Sequence, residues 1–211
     1  MDIGFDKAKN IILWKEKEGI KKIKMEISKT SQDKRKKVAM LIAFKNFRDE
    51  EFFITKEILE KEGINIDIFS ADLGIAMGSQ GGEVAVDKII DKIEVSNYDA
   101  IVFIGGSGCL KYLDNKASYK IIQETISQGK ILASICISPV ILAKSGVLKG
   151  KNATVWSSEL DKNPIRVLEK EGAVYQDNPV VVDGNIITGN GPLSVRGFGE
   201  AIVKKLTETQ K

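Results

Sequence analysis

Three uninterrupted apolar runs of strand length constrain this chain more than any other feature. Residues 38–44 read VAMLIAF, residues 100–104 AIVFI, and residues 130–135 KILASI, opened by a lysine. A strand with one wet face alternates apolar and polar residues. A run that is apolar at nearly every position has both faces buried, as in a parallel sheet covered by helices on both sides. Segments of helical spacing separate the runs. Asp49 can cap a helix whose first turn carries Glu50 and Glu51, whose inner stripe is Ile54, Ile58 and Leu59, and which Gly63 ends. Further helices are predicted over residues 119–127, closed by Gly129, from residue 140 to near Gly146, and over residues 201–206. Residues 64–69 alternate as a strand, 78–82 form a loop, and 84–95 contain a short amphipathic segment. Asp183-Gly184, between residues 180–182 and 186–188, is the strongest hairpin signal in the chain. The expected fold is an α/β sandwich around a mainly parallel sheet, with a late β-hairpin.

Charge divides the chain. Residues 1–37 hold 12 Lys/Arg against 6 Asp/Glu, whereas the whole 211-residue chain has a net charge of only +3. Residues 1–36 are therefore read as a basic N-terminal extension and 37–211 as one domain. Within the extension Ile23, Met25 and Ile27 alternate as in a strand, and a helix over residues 7–18 fits almost as well. The tract Lys34-Arg35-Lys36-Lys37 suits a nucleic-acid arm or, with more weight, a solvated linker, because a charge run alone is a weak signal. Nucleic acid is not expected as a partner. The longest uncharged apolar stretch, residues 131–143, is 13 residues long and too short to span a membrane. The first residues lack a basic-then-apolar leader, and two Cys do not make a disulfide scaffold; a reducing, cytoplasmic setting is expected. The chain contains no His. That excludes His-based triads, His-ligated zinc and the usual imidazole proton shuttle. No metal or cofactor is expected.

In open parallel sheets the chemistry sits beyond the carboxyl ends of the strands. Three segments reach that edge: residues 46–51, 105–109 and 136–139. Cys136 follows a buried strand and precedes a helix, so the turn lifts it from the sheet and the helix dipole favours thiolate. A buried, inert thiol is the competing reading, and this segment alone leaves the two even. Gly105-Gly106 offers unobstructed backbone N–H groups, and Glu51 can share a proton with the sulfur across the same edge. Cys109, at a helix start on that edge, is read as a space-filling residue rather than a resolving thiol.

At this point the residues resemble the DJ-1/ThiJ/PfpI superfamily, over about residues 37–207. The matching pieces are Phe47-Arg48-Asp49-Glu50-Glu51, Gly82-Glu83-Val84-Ala85-Val86-Asp87, the run from Tyr98-Asp99 into Gly105-Gly106, and Ser134-Ile135-Cys136 with Pro139. The strings from Gly146 to Thr154 and from Asp183-Gly184-Asn185 to Gly191-Pro192 complete them. The resemblance implies a flavodoxin-like three-layer sandwich. It implies Cys136 as elbow nucleophile, Glu51 as its carboxyl partner, and the N–H groups of Gly106 and Ile137 as an oxyanion hole. Gly105, Ser107, Ser138 and Trp156 are then expected to line the pocket. A homodimer or larger homo-oligomer is expected as well.

The departures narrow the chemistry. Protease-like members carry His directly after the Cys, where this chain has Ile137. Other members keep a His at the position matching Trp156. Asn190 and Ile104 stand where Arg and Pro are common. Amide hydrolysis needs a base for the nucleophile and an acid for the leaving amine. Without His, Glu51 would serve both, so an intracellular cysteine peptidase ranks last of three readings. The first is an enzyme acting on small reactive carbonyls, of the glyoxalase or deglycase type. The second is a thiol stress sensor or chaperone-like protein without turnover, whose partner is an oxidant or other small electrophile.

Overall fold

In the computed structural model of the protein, residues 35–208 are described and, before them, Lys21. The strand or helix expected for residues 7–27 lies outside the described residues. The elements of the fold belong to the unit that begins at Lys36. In chain order the strands are β1 (Lys37–Leu41), β2 (Lys45–Phe47), β3 (Asn65–Ser70), β4 (Gly74–Gly78), β5 (Glu83–Val86), β6 (Lys88–Ile89), β7 (Ala100–Phe103), β8 (Ile131–Ile135), β9 (Asn152–Ala153), β10 (Val174–Tyr175), β11 (Val180–Asp183) and β12 (Ile186–Gly189). The helices are α1 (Asp49–Lys61), α2 (Cys109–Tyr112), α3 (Lys116–Ser127), α4 (Pro139–Lys144), α5 (Asn163–Lys170) and α6 (Val195–Glu208).

Seven strands form the central sheet in the order β11-β12-β8-β7-β1-β3-β6. Every pairing is parallel except β11–β12, a hairpin whose two turn residues are Gly184 and Asn185, one place later than the expected Asp183-Gly184, because Asp183 still pairs with Ile186. The three apolar runs are its central strands β1, β7 and β8, and their alternate residues enter two separate cores. Val38 and Met40 of β1 join Phe52 and Leu59 of α1 and Phe198, Ile202 and Leu206 of α6. Ala39 and Leu41 point the other way, to Ile121 and Ile122 of α3, Ile141 and Leu142 of α4 and Leu168 of α5. Each strand residue thus has an apolar neighbour whichever face it takes, worth roughly 1.5–3 kcal/mol for each large side chain fully buried. The fold is the expected flavodoxin-like α/β sandwich with a mainly parallel sheet. Helices α1 and α6 meet closely: a Cβ on Gly199 would lie 2.9 Å from Ile58 Cδ1, so a glycine there sets their approach.

The segment 84–95 holds no α-helix. It resolves into β5, β6 and two 3₁₀ turns, Ile90–Lys92 and Val95–Asn97. Strands β2, β4 and β5 make a small second sheet beside the loop at residues 78–82. The β4–β5 pairing is antiparallel and local, but β2 joins β4 in parallel from some thirty residues away, with a register shift. No short-range signal announces such a partner. Among the described residues no helix is long and apolar enough to cross a membrane.

Candidate active site

The parallel strands β7, β8 and β12 all end on one edge, and Cys136 stands just past the end of β8. Its backbone has φ +66°, a left-handed conformation that non-glycine residues rarely adopt. Such a residue costs on the order of 1–3 kcal/mol and persists where its surroundings over-determine it. Here both backbone groups are fixed: Cys136 N–H donates to Gly189 O at 2.8 Å, and Trp156 N–H donates to Cys136 O at 2.8 Å. Ser138 adds the third restraint. Its hydroxyl accepts from Ile135 N–H at 2.9 Å, and its one proton faces the carbonyls of Ile135 and Phe103, at 2.7 and 2.9 Å. Ser138 is fully buried and does not line the pocket, contrary to expectation: its oxygen is consumed in tying β7 to the turn after β8.

Glu51, in the first turn of α1, comes to the same point and is fully buried. Gly105 N–H donates to its Oε2 at 3.1 Å. No N–H or O–H donor among the described residues reaches Oε1. A buried carboxylate with one oxygen unpaired is costly, so the neutral acid is favoured. Burial accordingly pushes the Glu51 pKa up from 4.5 to about 7, against the opposing pull of its hydrogen bonds to Cys136 and Gly105. The Cys136 thiol, only 8% exposed, is pushed upward too, by burial and then by the Glu51 carboxylate, while the N–H groups of Gly106 and Ile137 pull it down. The sequence leads one to expect a strong lowering by the helix behind the turn. That helix, α4, has six residues, so its dipole is small. Two hydrogen-bonded acids titrate as a pair. The first proton leaves the pair near pH 7, and the second is held far more tightly.

Gly105 is not a pocket wall, as the sequence suggests, but a spacer. A Cβ there would fall 2.5 Å from Cys136 Cβ and 2.7 Å from Glu51 Oε2, inside the contact between the two groups. Gly106, at φ +110°, has the Asn46 carbonyl and the Arg48 nitrogen within 2.5 Å of any Cβ it could carry. The sulfur opens onto a cavity of about 490 Å³ lined by Arg48, Ser79, Gly106, Ser107, Leu110, Cys136, Ile137, Trp156 and Pro192. Ser107 and Trp156 therefore lie where sequence reasoning puts them. Arg48, Ser79, Leu110 and Pro192 are walls that it missed, although Arg48 and Pro192 stand inside the matching motif pieces. Ser79 is brought in by Asp49, the neighbour of Arg48. The buried Asp49 carboxylate accepts from Gln80 N–H at 2.8 Å, Gly82 N–H at 2.7 Å and Ser79 Oγ at 3.3 Å, clamping the loop to the start of α1. Cys109 is fully buried in the other core, with burial pushing its thiol well up. Among the described residues no group of three or more His, Cys, Asp or Glu is arranged to hold a metal.

A flavodoxin-like sheet whose central strand runs into a left-handed cysteine, paired with a carboxyl from the first helix, marks a distinct class of α/β protein. The chain belongs to the DJ-1/PfpI family, whose sequence model matches residues 36–205. It is 39% identical to an uncharacterized protein of Methanocaldococcus jannaschii, over 84% of this chain and 86% of that one. It is 32% identical to a deglycase of Pyrococcus horikoshii, over 81% of this chain and 99% of the relative. Among solved structures it superposes on a ThiJ/PfpI domain protein from Brachyspira murdochii with a TM-score of 0.77, at 30% identity, over 82% of this chain and 98% of that one.

Proposed function

We propose that the protein is a cysteine-dependent enzyme acting on small reactive carbonyls, of the glyoxalase or deglycase type. The observation that carries this reading is the buried Cys136–Glu51 pair, in which burial holds the Glu51 pKa up at about 7, at a cavity open to small molecules. The deglycase name of the Pyrococcus relative supports the same class.

The chemistry follows from the groups present. With the proton on Glu51, the Cys136 sulfur adds to an aldehyde carbon, and the C=O electron pair moves onto oxygen. The N–H groups of Gly106 and Ile137 hold that oxygen as it charges. Glu51 gives it the proton, forming a hemithioacetal, and becomes a carboxylate. For an α-oxoaldehyde, Glu51 then takes the proton from the former aldehyde carbon, leaving an enediolate. Glu51 returns that proton to the adjacent carbon, the C1 hydroxyl proton passes to the neighbouring oxygen, and the C1–O bond becomes the carbonyl of a Cys136 thioester. Water hydrolyses it to a 2-hydroxy acid and frees the thiol. One carboxyl suffices because each proton moves in turn.

Methylglyoxal is the test substrate, with lactate as the product. Wild-type protein should form lactate, Cys136→Ala none, and Glu51→Gln about 10²-fold less or lower. Lactate formation unchanged in Cys136→Ala sinks the proposal. A second reading is favoured by the absence of His, which leaves Glu51 as sole proton carrier at the sulfur. Under it Cys136 is oxidised without turnover, and the sign is a mass gain of two oxygens on Cys136 under mild peroxide with no lactate formed. A peptidase would need a second acid–base group, and the cavity wall supplies none of the usual kind.

A further inference from the structure

Arg48 is the one charged residue, among the described residues, that lines the cavity over Cys136 besides the reactive pair itself. It enters the cavity wall from the position just before α1. Its guanidinium is held from one side only. Glu50 takes the Nε side, with Nε to Oε2 at 2.8 Å and Nη2 to Oε1 at 3.2 Å, and Gln80 Nε2 also donates to Glu50 Oε1 at 2.9 Å. A guanidinium has five N–H donors. Glu50 accepts a hydrogen bond from Nη2 and meets Nε as an ion pair without a hydrogen bond of good geometry. The remaining end can take a second carboxylate.

The rest of the cavity suits a small anion. Leu110, Ile137, Trp156 and Pro192 give apolar walls, which strengthen a charge–charge contact relative to water. Ser107 adds a hydroxyl. The reactive pair carries a negative charge once its first proton leaves, and by itself it would repel an anionic substrate. The Arg48 charge is felt at Glu51, where it favours the ionised carboxyl, so it also reaches the reacting centre.

We propose that the site selects small carbonyl compounds that themselves carry a carboxylate, and that Arg48 is the residue that selects them. This rests on the Cys136-dependent reading above and narrows its substrate class. Neutral aldehydes remain substrates, without the Arg48 contact. Glu50 tunes the selection, because it competes with the incoming carboxylate for the same guanidinium.

The test needs no turnover. Iodoacetate and iodoacetamide alkylate a thiol in the same way: sulfur displaces iodide and a sulfur–carbon bond forms. They differ in a carboxylate against an amide. The ratio of their second-order rates at Cys136, divided by the ratio for glutathione, reads the anion preference of the cavity. In wild type that quotient should be about tenfold at low ionic strength and should fall as salt is added. Arg48→Gln should bring it to one, Arg48→Lys should keep part of it, and Glu50→Gln should raise it. A wild-type quotient of one, or a preference that survives Arg48→Gln, overturns the inference while leaving Cys136 reactive. If neither reagent labels Cys136, the carbonyl reading itself falls. The salt dependence of the wild type stands even if a variant fails to fold.

Discussion

At the residue scale, burial and mutual contact push the pKa values of both Cys136 and Glu51 up. Alkylation of Cys136 by iodoacetamide should rise with a midpoint near pH 7, where the pair loses its first proton. Glu51→Gln removes the competing charge and keeps a donor, so reactivity near neutral pH should persist. Glu51→Leu leaves a buried thiol without its partner, and the midpoint should climb above the ordinary thiol value of about 8.5. A midpoint unmoved by either substitution would show an uncoupled thiol. Stability carries the same signature. The folded pKa of Glu51 lies above its unfolded value, so its contribution is full below about pH 4.5 and is lost as pH rises through about 7. Urea midpoints should therefore drop across that window, by up to roughly 3 kcal/mol in free energy, and Glu51→Gln should flatten the profile. Gly105→Ala tests the contact directly. Its methyl group has nowhere to go between Cys136 and Glu51, so lactate formation should fall at least about 10²-fold, with a lower melting temperature. Cys136, Glu51 and Gly106 stand out in the sequence because a glycine turn, an acidic helix start and a cysteine each follow or flank an apolar run. The roles of Gly105 and Ser138 did not, because a spacer and a strand tie are defined by what lies across the sheet edge.

At the element scale, α1 organises the site through four consecutive residues. Arg48 enters the cavity wall, Asp49 clamps the loop at residues 78–82, Glu50 holds Arg48, and Glu51 meets the sulfur. Asp49→Ala should cost on the order of 1–2 kcal/mol, since two partly buried backbone N–H groups lose a charged acceptor. It should also free the loop, seen as faster amide exchange at Gln80 and Gly82. Unchanged exchange there would mean that the clamp is redundant. Strands β1, β7 and β8 were legible because both faces are apolar, and the hairpin because Gly184, at φ +62°, suits its turn, although the turn falls at Gly184-Asn185 and not at Asp183-Gly184. Strand β2 was not: its residues lie among those assigned to the catalytic edge, and its partner β4 arrives from a distant segment.

At the scale of the whole molecule, one surface is unusually apolar. Ile75 and Met77, two apart on β4, expose 52% and 38% of their area, and Leu73, just before the strand, exposes 56%. A file of apolar side chains on one strand face is the kind of surface a second copy covers. Light scattering at micromolar concentration should give at least twice 23.2 kDa, and the double change Ile75→Glu and Met77→Lys should reduce it to the monomer mass. A monomeric wild type would leave this surface without a second copy. Of the cavity walls only Ser107 and Trp156 were legible; Arg48, Ser79, Leu110 and Pro192 come from separate stretches, and only the sheet edge collects them. The turn at Cys136 has the opposite design, with its backbone pinned by Gly189, Trp156 and Ser138. Reactivity and recognition are therefore separable under mutation. A lineage can exchange Leu110 or Pro192 and explore new ligands while the strained turn, the sulfur and its acid keep working unchanged.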